Sequence, residues 1–138
     1  MNKIKLTILL MATAFFLTAC QDKEAGKLDN RALAFWDLKI KGDYKSAYEL
    51  LSPGWRSNES LGSFQSRMAQ SKVKWISANI KNKTCSQKNV CKIGMIIEYE
   101  YQFAAAFSKK MKISTKLEEN WIMKDNVWYL VPNEHKLK

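Results

Sequence analysis

The chain is poor in the residues from which most catalytic and metal centres are built. Among 138 residues there is one histidine, His135, and there are three cysteines, Cys20, Cys85 and Cys91. An imidazole acts as a base when a partner orients it in a dry pocket, and His135 stands in a charged tail beside Glu134, Lys136 and Lys138. Cys85 and Cys91, two cysteines without partnering histidines, do not supply the four ligands of a zinc site. No glycine-rich phosphate loop and no nucleophile elbow occur. The motifs therefore give no catalytic residue, no metal and no cofactor. Two prolines and five glycines exclude a low-complexity polymer, and 46% hydrophobic residues exclude disorder over most of the length. Acids are also few: 13 against 23 lysines and arginines, a formal charge of +10.

What is present begins with an address. Lys3 and Lys5 precede an apolar run from Leu6 to Leu17, too short for the roughly 20 residues of a membrane-spanning helix. Leu17-Thr18-Ala19-Cys20 resembles the lipobox of bacterial lipoproteins. That resemblance implies cleavage before Cys20, a thioether diacylglycerol on its sulfur and acylation of the new amino terminus. The alternative is an ordinary signal peptide with a stray cysteine. Acyl chains contribute about 0.8 kcal/mol per buried methylene, so two or three make a durable membrane anchor. By the same resemblance, Gln21 after Cys20 implies the outer membrane facing the periplasm, with the inner membrane as the other option. The expected organisation is a signal peptide over 1–19, an acylated tether over 20–28 and one domain over 29–138.

In an oxidising compartment Cys85 and Cys91 are expected to form a disulfide across a polar, turn-like segment. Their five-residue spacing lacks the Cys-x-x-Cys pattern that lowers a thiol pKa, so the expected role is structural.

Three amphipathic helices come first. Asp29 or Asn30 is expected to cap the first, which carries Ala32, Phe35, Trp36 and Ile40 and ends at Gly42. Asp43 caps the second, with Tyr44, Ala47, Tyr48 and Leu51 on one side and Ser52-Pro53-Gly54 as its stop. The third runs from about Ser60 to Ala69 on Leu61, Phe64 and Met68. Strands follow. Val73 to Ile80 is expected as the first, with Trp75 on one face and Ile76 and Ile80 on the other. Ile93, Met95, Ile97, Tyr99, Tyr101 and Phe103 then alternate with Lys92, Gly94, Ile96, Glu98, Glu100 and Gln102, a period of two that marks a half-buried strand. Met111 to Met123 repeats the pattern, Asp125-Asn126 suits a tight hairpin, and Val127 to Val131 closes the set. Helices followed by an antiparallel meander predict an α+β fold, with the helices on one face of a four-stranded sheet.

The order of helix, Gly42-Asp43-Tyr44, Ala47-Tyr48-x-Leu50-Leu51-Ser52-Pro53, a helix with Phe64, and strands ending in Trp128-Tyr129-Leu130-Val131-Pro132 is similar to the NTF2-like (cystatin-like) cone. The resemblance spans roughly 29–132. It implies a curved sheet wrapped around an interior which in enzymatic members carries an acid or a His-Asp pair.

If the long hairpin turns near Ala106-Phe107, Glu98 faces Lys116 and Met95 faces Glu119. Glu119 then falls between Leu117 and Trp121 on the apolar face. Burial raises a carboxyl pKa, which is one way general acids are made. A one-residue slip would expose it instead, and Arg67 or Lys72 are alternative partners. Trp36, Tyr48, Trp75, Tyr99 and Trp121 with Glu119 are the candidate pocket, their other reading being plain core. The scattered lysines fit a solvated surface or an anionic envelope surface, and no nucleic acid. The expected partners are the membrane through Cys20 and either an envelope protein or an amphipathic ligand. The lead expectation is a non-enzymatic binding or scaffolding lipoprotein of the envelope; the alternative is a small hydrolase- or isomerase-type enzyme using Glu119.

The address is directly testable. Metabolic labelling with an alkyne fatty acid should mark the wild-type protein and leave Cys20→Ala unlabelled and released from the membrane fraction. Equal labelling of both would end the lipoprotein reading.

Overall fold

The computed structural model describes residues 19–102 and 110–133, with side chains from residue 27 onward except that of Gln102. The expected signal peptide as far as Thr18, the Cys20 side chain, Phe103, the turn expected at Ala106-Phe107, Lys109 and His135 lie outside that description.

Helix α1 spans Ala19–Lys41 and starts earlier than its expected caps. The segment expected as a tether is helical, and Leu28 is fully buried in the core. The reason lies in the spacing. Leu28 stands four residues before Ala32 and seven before Phe35, so the apolar stripe begins one turn upstream of Asp29. At the other end Gly42, at φ +78°, donates its N–H to the Lys39 carbonyl, and Asp43 donates to that of Leu38. This pair of bonds is the glycine C-cap of the Schellman type.

Three short helices follow, each opened by a side-chain cap. Asp43 accepts the Ser46 N–H at 3.1 Å to start α2, Tyr44–Glu49. Ser52 accepts the Trp55 N–H at 3.3 Å to start α3, Pro53–Asn58. Ser60 accepts the Ser63 N–H at 3.2 Å to start α4, Leu61–Ala69. The α3 helix corrects the sequence expectation. Ser52-Pro53 signals a stop for α2, but proline at the first helical position after a serine cap is also a start.

The sheet has the order β1-β2-β3-β4, antiparallel throughout: β1 Val73–Gln87, β2 Val90–Gln102, β3 Lys110–Lys124 and β4 Val127–Val131. The α+β layout is the expected one, with the four strands in one curved sheet and the helices against one face. Asp125 and Asn126 take φ of 51° and 60°, the two left-handed residues of a type I′ hairpin. β1 runs seven residues longer than expected. Register shifts between Trp75 and Ser77 and between Ile80 and Asn82 break its alternation. The first shift brings Trp75 and Ile80 to the same, core-facing side, where opposite faces were expected.

β2 is the central scaffold. Cys91, Ile93, Met95 and Ile97 are all buried, as its period of two predicts. Its pairing with β3 differs from expectation by two residues: Glu98 lies opposite Ser114, Met95 opposite Leu117, and Ile93 opposite Glu119. Glu98 does not meet Lys116. Its carboxylate instead accepts the Ser77 hydroxyl at 2.9 Å on the exposed face. Cys85 and Cys91 are register partners at the end of the β1–β2 hairpin, with their sulfurs 2.04 Å apart. The short edge strand β4 is covered by the α2–α3 connection. Leu130 donates its N–H to the Leu50 carbonyl at 2.9 Å, and Ser52 donates to Leu130 at 2.8 Å.

Two substitutions separate the faces of β2. Ile97→Asp places a carboxylate at a site with no exposure and should abolish the cooperative thermal transition. Glu98→Ala should change stability by less than about 1 kcal/mol. Thermal melts that rank the two in the opposite order would refute this assignment of faces.

Candidate functional site

The helices do not lie flat on the sheet. Between them and the β3–β4 half remains an open-mouthed cavity of about 800 Å³. Phe35, Trp36 and Lys39 of α1 form one wall, Leu51 and Trp55 a second, Phe64, Arg67 and Met68 of α4 a third. Leu117 and Glu119 of β3 lie along the sheet side, with Trp75 of β1 and Leu130 of β4.

Glu119 stands where its parity put it, on the apolar face and 6% exposed. No register shift interrupts the β2–β3 ladder, so it does not slip outward. Each carboxylate oxygen is occupied by an indole. Trp36 Nε1 donates to one at 2.7 Å and Trp121 Nε1 to the other at 3.0 Å. The first bond ties α1 to the sheet, while the second is made within β3. Burial pushes the Glu119 carboxyl above its ordinary 4.5, and the bonds from Trp121 and Trp36 and the charge of Lys39 hold it back.

Lys39 is the residue that sequence reading missed. It is 9% exposed and its Nζ lies over three rings: Trp36 at 3.8 Å, Trp75 at 4.5 Å and Phe35 at 5.3 Å from the centroids. Aromatic faces attract an ammonium through their quadrupoles. Burial nevertheless lowers its pKa from 10.5 to about 8, with the Glu119 charge opposing and the Arg67 charge assisting. The signal was available in the spacing: Lys39 is four residues after Phe35 and three after Trp36, on the buried stripe. Ile40, placed on that stripe by sequence reading, is 37% exposed.

Of the expected pocket residues, Trp36, Trp75 and Glu119 line the cavity. Trp121 lies fully buried behind it and reaches it only through Glu119. Tyr99 packs edge-on against Trp75 at 5.7 Å without joining the lining. Tyr48 belongs to the core: its ring meets Phe64, and its hydroxyl donates to the Glu59 carbonyl at 2.7 Å. Arg67 is not Glu119's partner. Its guanidinium grips Glu59 at 2.8 and 2.9 Å, and Glu59 also accepts Trp55 Nε1 at 2.8 Å. These bonds, the Arg67 pair foremost, hold the Glu59 carboxyl below its usual range. They also fix Trp55 and Arg67 in the cavity wall. Lys72, the other partner considered, is exposed.

No protein-family model matches the chain, and no curated protein does. Solved structures do match its shape. A protein named as a dehydratase of the NTF2-like family from Streptomyces avermitilis superposes with a TM-score of 0.57 at 11% identity, over 79% of this chain and 92% of its own. A SEC-C motif containing protein from Rhodopseudomonas palustris gives 0.56 at 10% identity, over 72% and 70%. At such identities the likeness shows the fold, which is NTF2-like in architecture, and nothing about chemistry.

The site makes a stability prediction with a defined sign. A glutamine offers one acceptor oxygen to two indole donors, so Glu119→Gln should cost about 1–3 kcal/mol. Lys39→Met should do the reverse. The folded pKa lies below the unfolded one, so the unfolded state binds more protons between about 8 and 10.5 and stability rises across that window. Below it the buried charge opposes folding. Lys39→Met should thus be more stable than wild type at pH 7 by about 1–3 kcal/mol, with the difference shrinking towards pH 10. Urea melts at the two pH values measure both effects.

Proposed function

We propose that the chain is a binding domain of the cell envelope, anchored through acylated Cys20, that takes a guest into the cavity without transforming it. The cavity carries this reading. Its volume of about 800 Å³ falls within the range of small-molecule sites, and its walls are mainly aromatic and aliphatic with a few fixed polar groups. Of the two partners considered, an envelope protein and an amphipathic molecule, the concave apolar site favours the molecule. The lipobox-like Leu17-Thr18-Ala19-Cys20 supports the anchor and the envelope location.

Glu119 supports a second reading, a pocket enzyme of hydrolase or isomerase type. It lies in the wall with a raised pKa, and one structural neighbour is named as a dehydratase. Against proton transfer stands its bonding. Both oxygens already accept indole N–H groups, which makes the carboxylate a fixed strut between α1 and β3.

A neutral apolar dye such as N-phenyl-1-naphthylamine should bind with one site per chain and brighten on binding. Met68→Trp, which adds bulk to the wall, should weaken it several-fold. Absence of saturable binding would overturn the binding reading. Turnover of model esters that is lost in Glu119→Gln while the variant stays folded would favour the enzyme.

A further inference from the structure

We infer that the guest is an amphipathic monoanion, its carboxylate head paired with Lys39 and its apolar body lying against Trp55, Phe64 and Met68. This rests on the binding reading above and names the ligand class of the same cavity.

The inference starts from an unmet demand. An ammonium has three N–H donors and no acceptor of its own. The Lys39 side chain is largely buried and lines the cavity, its Nζ meets three ring faces, and no oxygen of the described residues accepts a hydrogen bond from it. Glu119, the acid whose charge acts on Lys39, has both oxygens engaged by Trp36 and Trp121. Buried cations in folded proteins are normally paired and hydrogen-bonded. One that is neither, at the wall of an open cavity, is a binding group whose partner enters from outside.

The chemistry of that partner is narrowed by its surroundings. A neutral head would satisfy the donors but leave the charge uncompensated. A cationic head would be repelled by Lys39 and by Arg67, which also lines the wall. A dianion such as a phosphate monoester would meet the negative field of Glu119, whose effect on Lys39 shows that the two charges interact. A single carboxylate satisfies the ammonium with the least repulsion and forms charge-assisted bonds. The chain's positive excess assists its approach.

The test uses four water-soluble molecules on one scaffold, titrated calorimetrically into the purified protein: 4-phenylbutanoate, 4-phenylbutanol, 4-phenylbutylamine and 4-phenylbutyl phosphate. The acid should bind at least tenfold more tightly than the alcohol, the phosphate more weakly than the acid, and the amine weakest. Lys39→Met should abolish the difference between acid and alcohol, bringing the acid down to the alcohol's affinity for the same variant. Lys39→Arg should retain the preference for the acid. Equal affinity for acid and alcohol, or an acid preference that survives in Lys39→Met, would overturn the assignment while leaving a binding cavity intact. Tightest binding of the amine or the phosphate would also overturn it. No binding of any of the four, together with no binding of the neutral dye, would remove the cavity reading itself.

Discussion

Everything in the site follows from the dry face of β2. Cys91, Ile93, Met95 and Ile97 must all point at the helices, because a one-residue slip would turn Lys92, Glu98 and Glu100 inward. β3 is laddered to β2 without a bulge, so its parity is fixed as well. Position 119 is then an inward position whatever residue occupies it. A glutamate there has two options: to distort the ladder or to find donors inside. It finds them, in an indole from its own strand and an indole from α1.

Those two donors shape what surrounds them. Holding Trp36 against Glu119 sets the rotation of α1 about its axis, and that rotation carries Lys39, one turn on, to the same buried side. A lysine there is largely withdrawn from bulk water, and the rings of Trp36, Trp75 and Phe35 take the place of part of its hydration shell. The substitution is incomplete, as the lowered pKa of Lys39 records. Two opposite charges thus sit in a low-dielectric wall, close enough to influence each other yet each held by its own partners. Such an arrangement adds little to folding and much to recognition, since charges already stripped of water interact strongly with whatever enters.

How far the sequence disclosed this depends on the kind of signal each element carries. The period of two in β2 was readable because large apolar residues recur at every second position from Ile93 to Phe103, and the same period in β3 delivered the buried Glu119. The pairing partner of Glu119 was not readable. The segment between β2 and β3, residues 103–109, has no glycine, proline or asparagine to mark a turn in the sequence, and a shift of two preserves every face. The first bulge in β1 escaped because no glycine signals it; only packing decides that Trp75 and Ile80 share a side. Ser52-Pro53 carried an ambiguous signal, equally good as a stop and a start. Lys39 escaped for a different reason. In a chain with 23 basic residues one more lysine is unremarked, and its position on the stripe conflicts with its charge. Conflicts of that kind mark places where function outweighs local rules.

The helical character of the segment after Cys20 changes the geometry of the anchored reading. A flexible tether would let the domain tumble at variable height above the lipid. Helix α1 instead runs without a break from Ala19 to Lys41, joining Cys20 to the cavity wall in one element. At about 1.5 Å per residue, Lys39 stands about 28 Å along the helix from Cys20. That span exceeds the depth of a headgroup layer, so an upright helix holds the cavity clear of the membrane surface. The same helix tilted towards the bilayer brings the domain down to it. Under the proposed anchoring, the height of the cavity above the membrane would therefore be governed by the tilt of α1, whose inner face is already tied to the sheet through Trp36 and Glu119.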